Sequence, residues 1–160
     1  MISRMADFFR YYLRVRYAEC DAQKVVFNAR YAEYVDIATS EFLRALGFGP
    51  AFMGGPMDFQ LVKQTIEWKA AARFDDVLEL SMYSRHLGNT SFTLATEFRL
   101  AGGQRVIVTA ETVYVLVEAH LLRKTPLPAN LRAALAGGAP GVATDHAGYL
   151  TTAIATDDGV

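Results

Sequence analysis

The 160-residue chain is 52% hydrophobic and 21% charged, a length and composition that favour one folded domain and exclude wholesale disorder. Its 16 basic and 17 acidic residues nearly cancel, which argues against a nucleic-acid partner. We expect a cytoplasmic protein without a membrane span, because the chain has one cysteine, no secretory signal pattern and no apolar run of roughly 20 residues.

The first predicted element is a strand over residues 8–17, where apolar and basic side chains alternate with the period of two typical of a half-buried strand. One face carries the apolar set Phe9, Tyr11, Leu13, Val15 and Tyr17. Residues 19–27 then predict a loop, and Asp21 brings a carboxylate to its start.

Residues 30–46 predict one long helix, because apolar residues recur along it at i, i+3 and i+4. This stripe consists of Tyr31, Tyr34, Val35, Ala38, Phe42, Ala45 and Leu46. Since Ile37 and Leu43 are also apolar and lie outside the stripe, we expect the helix to be buried on more than one side. Asn28 is the predicted N-cap, and Gly47 is the predicted C′ residue.

The rest of the chain predicts mainly strands, after a connection rich in glycine and proline. Four strands are expected, at residues 59–70, 77–87, 91–100 and 105–118. Tight turns would join the last three into an antiparallel meander. A short helix at residues 129–136 would close a domain of residues 1–136. Residues 137–160 predict a mobile tail with few anchors, in which residues 149–156 are a candidate extra strand.

This order predicts an α+β fold in which a curled antiparallel sheet of about five strands wraps around one long central helix. The sheet would have an open edge, and the helix is apolar over more of its circumference than one sheet can cover. A two-fold dimer whose sheets continue edge to edge would bury both surfaces. We therefore expect at least a homodimer.

The loop and the start of the helix resemble those of the hotdog-fold acyl-CoA thioesterases of the 4-hydroxybenzoyl-CoA thioesterase family. The resemblance rests on Tyr17, Glu19-Cys20-Asp21, Val25-Val26-Phe27-Asn28, Tyr31, Asp36 and Glu41. It implies a hotdog fold and hydrolysis of acyl-CoA thioesters, with coenzyme A as part of the substrate and no other cofactor. It also implies a homodimer or homotetramer with the site at the subunit boundary.

The resemblance further implies roles for individual residues. Asp21 would attack the thioester carbonyl or activate a water, and the backbone N–H of Asn28 would stabilise the oxyanion at the helix N-terminus. Tyr31 would shape the site, and Asp36 would face the acyl group. The residues near coenzyme A would be Arg85, Asn89, Thr90 and Ser91, in and beside a hairpin turn.

These residues also have plain structural interpretations. An Asp ahead of a helix is commonly a turn or cap residue, Asp36 would suit a subunit contact, and Arg85 would be an ordinary surface arginine. Two positions depart from the family's pattern. The family commonly has Gly in place of Lys24, so we expect a slightly different or a strained turn there. Many members have His in place of Asn28, so only a role of its backbone N–H is retained.

Cys20 is a rival nucleophile, with His86, His120 or His146 as its base. Adjacent residues of an extended segment point to opposite sides, however, so Cys20 and Asp21 are not expected to serve one site. A small buried thiol is the favoured interpretation of Cys20. The histidines lack metal-ligand spacing, and we predict no metal site.

Two other functions remain open on the sequence alone. A hotdog hydratase or dehydratase would act on acyl thioesters with a histidine in the site loop, and residues 19–28 contain no histidine. A non-catalytic acyl-CoA-binding module would not need the carboxylate of Asp21. A thioesterase is therefore the preferred hypothesis.

Overall fold

The computed structural model describes residues 8–152, in which six strands form one sheet beside a long helix. The strands are β1 (Phe9–Arg14), β2 (Met57–Trp68), β3 (Val77–Leu87), β4 (Ser91–Leu100), β5 (Val106–Glu118) and β6 (Ala143–Asp145). The helices are α1 (Arg30–Ala45), α2 (Gly49–Phe52) and α3 (Ala129–Gly137), and a 3₁₀ turn covers Tyr17–Glu19. The strand order is β2-β5-β4-β3-β1-β6, antiparallel except for the β1–β6 pair. The predicted α+β class is confirmed, with one strand more than expected.

The hydrophobic core lies between α1 and one face of the sheet. Leu80 and Phe98 face each other across β3 and β4, and both are fully buried. From α1, the ring of Phe42 reaches within 5.5 Å of the ring of Phe9, centroid to centroid. Burying each such side chain contributes about 1.5–3 kcal/mol, so this layer holds α1 firmly against the sheet.

The C-terminal end of α1 is formed as predicted. Gly47 has φ +86°, and its N–H donates to the Arg44 carbonyl at 3.0 Å. The Phe48 N–H donates to the Leu43 carbonyl at 2.9 Å. These two hydrogen bonds form a Schellman motif, which confirms Gly47 as the C′ residue.

At the N-terminal end of α1, the predicted Asn28 N-cap is wrong. The N-cap is Ala29, which has no side chain that could accept a hydrogen bond. The Arg30 N–H donates to the Phe27 carbonyl at 2.9 Å, so a turn precedes the helix and Asn28 lies outside it. The helix therefore begins with N–H groups that no N-cap side chain satisfies.

β1 is shorter than predicted. It ends at Arg14, and the 3₁₀ turn that follows leaves Tyr17 81% exposed instead of facing the core. Tyr12, on the opposite face of β1, is only 2% exposed, because the ring of Tyr149 stacks on it with 5.4 Å between centroids. The alternating pattern cannot reveal this second covering layer, because it comes from a distant part of the chain.

The covering layer belongs to the C-terminal segment, in which β6 pairs with β1. The Arg10 N–H donates to the Val142 carbonyl at 3.1 Å, and the His146 N–H donates to the Tyr12 carbonyl at 3.0 Å. A further hydrogen bond of 2.8 Å joins the Tyr11 hydroxyl to Nδ1 of His146. The segment therefore satisfies backbone groups of β1 that would otherwise form an open sheet edge.

The expectation of a tail with few anchors is wrong for residues 138–152. The extra strand is β6 rather than residues 149–156, because residues 149–152 are helical. Residues 153–156 of that prediction lie outside the described residues. A strand of three residues is too short to show a period in the sequence, so only its pairing with β1 reveals it.

Replacing Tyr149 by Ala should lower the free energy of unfolding by about 1–2 kcal/mol, because it removes the ring that covers Tyr12. Urea unfolding followed by circular dichroism measures the change. Tyr17→Ala is the matched control, since that side chain is mostly exposed and its loss should change stability little. Equal unfolding midpoints for Tyr149→Ala and the unsubstituted protein would contradict this account of the segment.

β2 is a free edge of the sheet, pairing only with β5 among the described strands. Three of its apolar side chains are exposed: Leu61 is 53%, Val62 is 56% and Trp68 is 49% accessible. The predicted open edge is therefore present in the single chain. Among residues 8–152, no helix has the length and apolar character that crossing a membrane requires.

Candidate active site

The loop between β1 and α1 is folded back on itself as a short hairpin. The Asp21 N–H donates to the Val25 carbonyl, and the Phe27 N–H donates to the Glu19 carbonyl, both at 2.9 Å. The loop is also tied to the rest of the fold, because Val25 forms an antiparallel bridge with Arg73. Asp21 and the segment that enters α1 are thus held by backbone hydrogen bonds.

Asp21 opens the turn at the tip of this hairpin. Its Oδ1 accepts from the Gln23 N–H at 2.8 Å, and its carbonyl accepts from the Lys24 N–H at 2.9 Å. Lys24 has φ +65°, a left-handed conformation that costs a non-glycine residue about 1–2 kcal/mol. Of the two alternatives for Lys24, the strained turn is confirmed. Asp21 does act as a turn residue, but its Oδ2 bonds to no group within residues 8–152.

A pocket of about 270 Å³ opens beside this turn. Its lining consists of Tyr17, Cys20, Asp21, Lys24 and Phe74. The rings of Tyr17 and Phe74 meet edge to face with 5.9 Å between centroids, and both are largely exposed. Asp21 therefore faces an accessible space with two aromatic walls. Phe74 comes from the β2–β3 connection, and no local pattern in the sequence singled it out.

The backbone N–H of Asn28 is free to bind an external acceptor. It donates to no backbone or side-chain acceptor within residues 8–152, unlike the neighbouring N–H groups of Phe27 and Arg30. It lies just ahead of α1, where the positive end of the helix dipole favours negative charge. Asp21 and Asn28 sit on the two paired arms of one hairpin.

The structure corrects two expectations about Cys20. The thiol is half-buried rather than buried, and it lines the same pocket as Asp21 instead of pointing away from it. Burial raises the pKa of the thiol, and the nearby carboxylates of Asp21 and Glu19 raise it further. The thiol is therefore protonated near neutral pH and is a poor nucleophile.

No histidine lines the pocket, so Cys20 lacks a base there. His86 lies on β3, His120 follows β5, and His146 is bonded to the Tyr11 hydroxyl. Within residues 8–152, no group of three His, Cys, Asp or Glu side chains could hold a metal ion.

Tyr31 and Asp36 occupy different environments on α1. Tyr31 is 2% exposed, and its hydroxyl accepts from the Ala72 N–H at 3.4 Å. Its ring packs edge to face on Phe98 in the core. Tyr31 also supports the loop indirectly, because the carbonyl of Ala72 accepts from the Val26 N–H. Asp36 is exposed, and its side chain makes no hydrogen bond within the described part of the chain. A contact of Asp36 with an acyl group stays a prediction.

The predicted coenzyme A residues lie away from the Asp21 pocket. Arg85 pairs with Glu111 at 3.4 Å, in a depression lined by side chains of β2 to β5. The turn with Asn89, Thr90 and Ser91 joins the far end of β3 to β4. The near end of β3 is next to the Asp21 loop, and a strand of this length spans roughly 33 Å. One chain therefore does not bring the two sets together.

Arg132 is a neighbour of this turn that the sequence did not single out. Its Nη2 donates to the Gly88 carbonyl at 2.7 Å, and the Leu127 N–H donates to the Asn89 carbonyl at 2.9 Å. The segment around α3 thus braces the turn and places a guanidinium beside it. The only signal in the sequence was a basic residue in a short helix, which is too common to be informative.

Comparison with known proteins identifies the family. A model of the thioesterase superfamily matches residues 23–107, just over half of the chain. The acyl-CoA thioester hydrolase YbgC of Escherichia coli O6:H1 is 31% identical over 125 residues, which are 77% of this chain and 92% of that protein. The chain belongs to the thioesterase superfamily.

Other relatives agree with this assignment. A solved gentisyl-coenzyme A thioesterase superposes with a TM-score of 0.72 and 30% identity, covering 79% of this chain and 99% of that one. The 1,4-dihydroxy-2-naphthoyl-CoA hydrolase of Synechococcus elongatus is 25% identical over 131 residues, 80% of this chain and 94% of that protein. The predicted hotdog-fold thioesterase family is confirmed, and the chain is a thioester hydrolase. The superfamily match begins at residue 23, just after Asp21.

Proposed function

We propose that this thioesterase hydrolyses acyl-CoA thioesters to the free carboxylic acid and coenzyme A, with Asp21 as nucleophile or general base. The backbone N–H of Asn28 would donate to the oxyanion. The observation that carries the proposal is the hairpin loop, which offers a carboxylate oxygen on one arm and an N–H on the other, neither bonded to any group of residues 8–152. The names of the relatives support acyl-CoA as the substrate class.

The chemistry needs no further group. The carboxylate of Asp21, or a water that it deprotonates, would attack the thioester carbonyl carbon, and the carbonyl π electrons would move to the oxygen. The Asn28 N–H and the end of the α1 dipole would stabilise that oxyanion. Collapse would break the C–S bond and release the thiolate of coenzyme A, which needs no strong acid because a thiol has a pKa of about 8.5. If Asp21 attacks directly, the acyl group would remain on it as an anhydride, and a water would then hydrolyse the anhydride to the free acid and restore the carboxylate. If Asp21 activates a water, the acid forms at once, and the proton held by Asp21 would pass to the departing thiolate or to solvent.

A thiol-release assay on a panel of acyl-CoA esters tests this function. The panel should contain aliphatic and aromatic esters, because one relative is named only as an acyl-CoA thioester hydrolase and two others are named for aromatic acyl groups. Steady release of coenzyme A from at least one ester is the expected result. Binding of the esters without release would favour the non-catalytic module, and hydration of an enoyl ester without release would favour the hydratase.

We also propose that the active unit is a homodimer or a dimer of dimers. The exposed β2 edge invites pairing with the β2 of a second copy. If the turn with Asn89, Thr90 and Ser91 contacts coenzyme A, it must come from a different subunit than Asp21, because the two lie at opposite ends of β3. A dimer with a shared site at the subunit boundary would cover the β2 edge and would bring the turn of one subunit to the Asp21 of the other.

Replacing Cys20 by Ser should leave kcat within about threefold of the unsubstituted enzyme, because the thiol is protonated near neutral pH and no histidine lines its pocket as a base. The thiol-release assay on the best ester measures this. Complete loss of turnover in a Cys20→Ser variant with an unchanged unfolding midpoint would support cysteine catalysis instead.

A further inference from the structure

Glu19, in the loop that carries Asp21, has a buried carboxylate that accepts hydrogen bonds from Arg16 and Tyr34. The residue is 4% exposed. Oε1 accepts from the Arg16 backbone N–H at 2.7 Å and from the Tyr34 hydroxyl at 3.0 Å. Oε2 accepts from Nε and Nη2 of Arg16 at 3.1 and 2.8 Å. A buried carboxylate with four donors is a rigid anchor, because moving it would leave a charge without partners.

The backbone of Glu19 ties the anchor to the hairpin loop. Its carbonyl accepts from the Phe27 N–H at 2.9 Å, which is the hydrogen bond that closes the base of the hairpin. Asp21 follows Glu19 by two residues on one arm, and Asn28 follows Phe27 directly on the other. The position of Glu19 therefore sets the position of both groups that the proposed reaction needs.

We infer that Glu19 is a positioning residue that holds the Asp21 carboxylate and the Asn28 N–H in their reactive arrangement. This inference rests on the proposed function. Glu19 does so by joining three parts of the chain: the segment after β1 through Arg16, the second turn of α1 through Tyr34, and the returning arm of the loop through Phe27.

The charge states suit this role. Burial by itself raises the pKa of Glu19, but the hydrogen bonds from Arg16 and Tyr34 outweigh it and lower the pKa below its ordinary value. Burial raises the pKa of Tyr34, and the Glu19 carboxylate raises it further. At neutral pH, Glu19 is therefore ionised and Tyr34 is protonated, so the Tyr34 hydroxyl can donate its hydrogen bond to the Glu19 carboxylate. Because the pKa of Glu19 is lowered on folding, its contribution to stability is present above the ordinary carboxyl pKa and is lost in more acidic solution.

Two substitutions test the inference on the intact protein. Glu19→Gln keeps the shape of the side chain but replaces one acceptor oxygen with an NH₂ donor that faces other donors. We expect kcat to fall by about 10–100-fold with KM changed less than about threefold, since a displacement near 1 Å can cost about 100-fold. Tyr34→Phe removes one hydrogen bond and should lower kcat by about 3–10-fold.

Hydrogen exchange supplies a readout that does not depend on activity. In both variants the Phe27 amide should exchange faster, while amides of β3 and β4 keep their protection. Glu33→Gln is the matched control, because this carboxylate is exposed on α1 and, in the part of the chain that the structure describes, pairs with Arg30 alone. It should change neither kcat nor the exchange of the Phe27 amide.

The outcomes separate the inference from the proposed function. Unchanged kcat and unchanged Phe27 exchange in folded Glu19→Gln would overturn the inference. If Glu19→Gln does not fold, unchanged kcat and unchanged Phe27 exchange in Tyr34→Phe would overturn it instead. Faster Phe27 exchange with lowered kcat, while the amides of β3 and β4 keep their protection, would support it. If the unsubstituted protein releases no coenzyme A from any ester, the proposed function fails, and Phe27 exchange in the variants still decides whether Glu19 holds the loop.

Discussion

Replacing Asp21 by Asn should lower kcat/KM for the best acyl-CoA ester by at least about 100-fold, because a positioned carboxylate that acts as base or nucleophile contributes about 10²–10⁴-fold. The fold should survive, since the Oδ1 of Asn can accept the same hydrogen bond from the Gln23 N–H. Steady-state thiol release measures the rate, and thermal unfolding measures the stability.

Asp75→Asn is the matched control for this experiment. Asp75 is an exposed aspartate that pairs loosely with Arg14 at 3.5 Å and does not line the Asp21 pocket. Its conversion to Asn makes the same chemical change outside the site and should leave kcat/KM unaltered. Full turnover by Asp21→Asn would remove Asp21 from the mechanism and with it the proposed reaction.

Placing two arginines on the β2 edge, in the Leu61→Arg/Val62→Arg variant, should convert the protein to a monomer and abolish activity. Both side chains are more than half exposed in the single chain, and charges there would oppose the pairing of two β2 edges. Sedimentation at micromolar concentration should show no monomer for the unsubstituted protein and mainly monomer for the variant. The monomer should lose at least about 100-fold in kcat/KM, because the substrate would no longer meet both halves of its site.

Leu121→Arg is the control for the edge experiment. Leu121 is 63% exposed in the turn after β5, so the same substitution there adds charge without touching β2. It should stay oligomeric and active. A fully active species at monomer mass, in either the variant or the unsubstituted protein, would refute the shared site.

The strands and the long helix were predictable because their signals are local. β3 and β4 begin and end at the predicted residues, and α1 differs from its prediction only at the last residue. Hydrophobic period and turn residues act within a few positions of each other, so a single sequence contains them. Gly47 was predictable for the same reason, because the residue that ends the helix adopts a left-handed conformation and glycine does so most easily.

The candidate site was predictable only in part. Asp21 was found through the motif, and the structure adds that one of its oxygens lies beside a pocket with no hydrogen bond to residues 8–152. The surroundings of Cys20, the wall formed by Phe74 and the brace from Arg132 were not predictable. Each depends on residues that are far apart in the chain and meet only after the sheet has formed.

The sequence by itself determined the α+β class, the wrapping of strands around one helix, and the loop that carries Asp21 and Asn28, because periodicity and motif spacing are properties of neighbouring residues. Only the tertiary structure decided which faces are covered, that β6 closes the β1 edge while β2 stays open, and that Glu19 is the buried anchor of the loop. Glu19 shows the physical reason. A glutamate in a loop predicts an exposed charge, and only the approach of Tyr34 from α1 and the fold of the chain around Arg16 make its burial favourable.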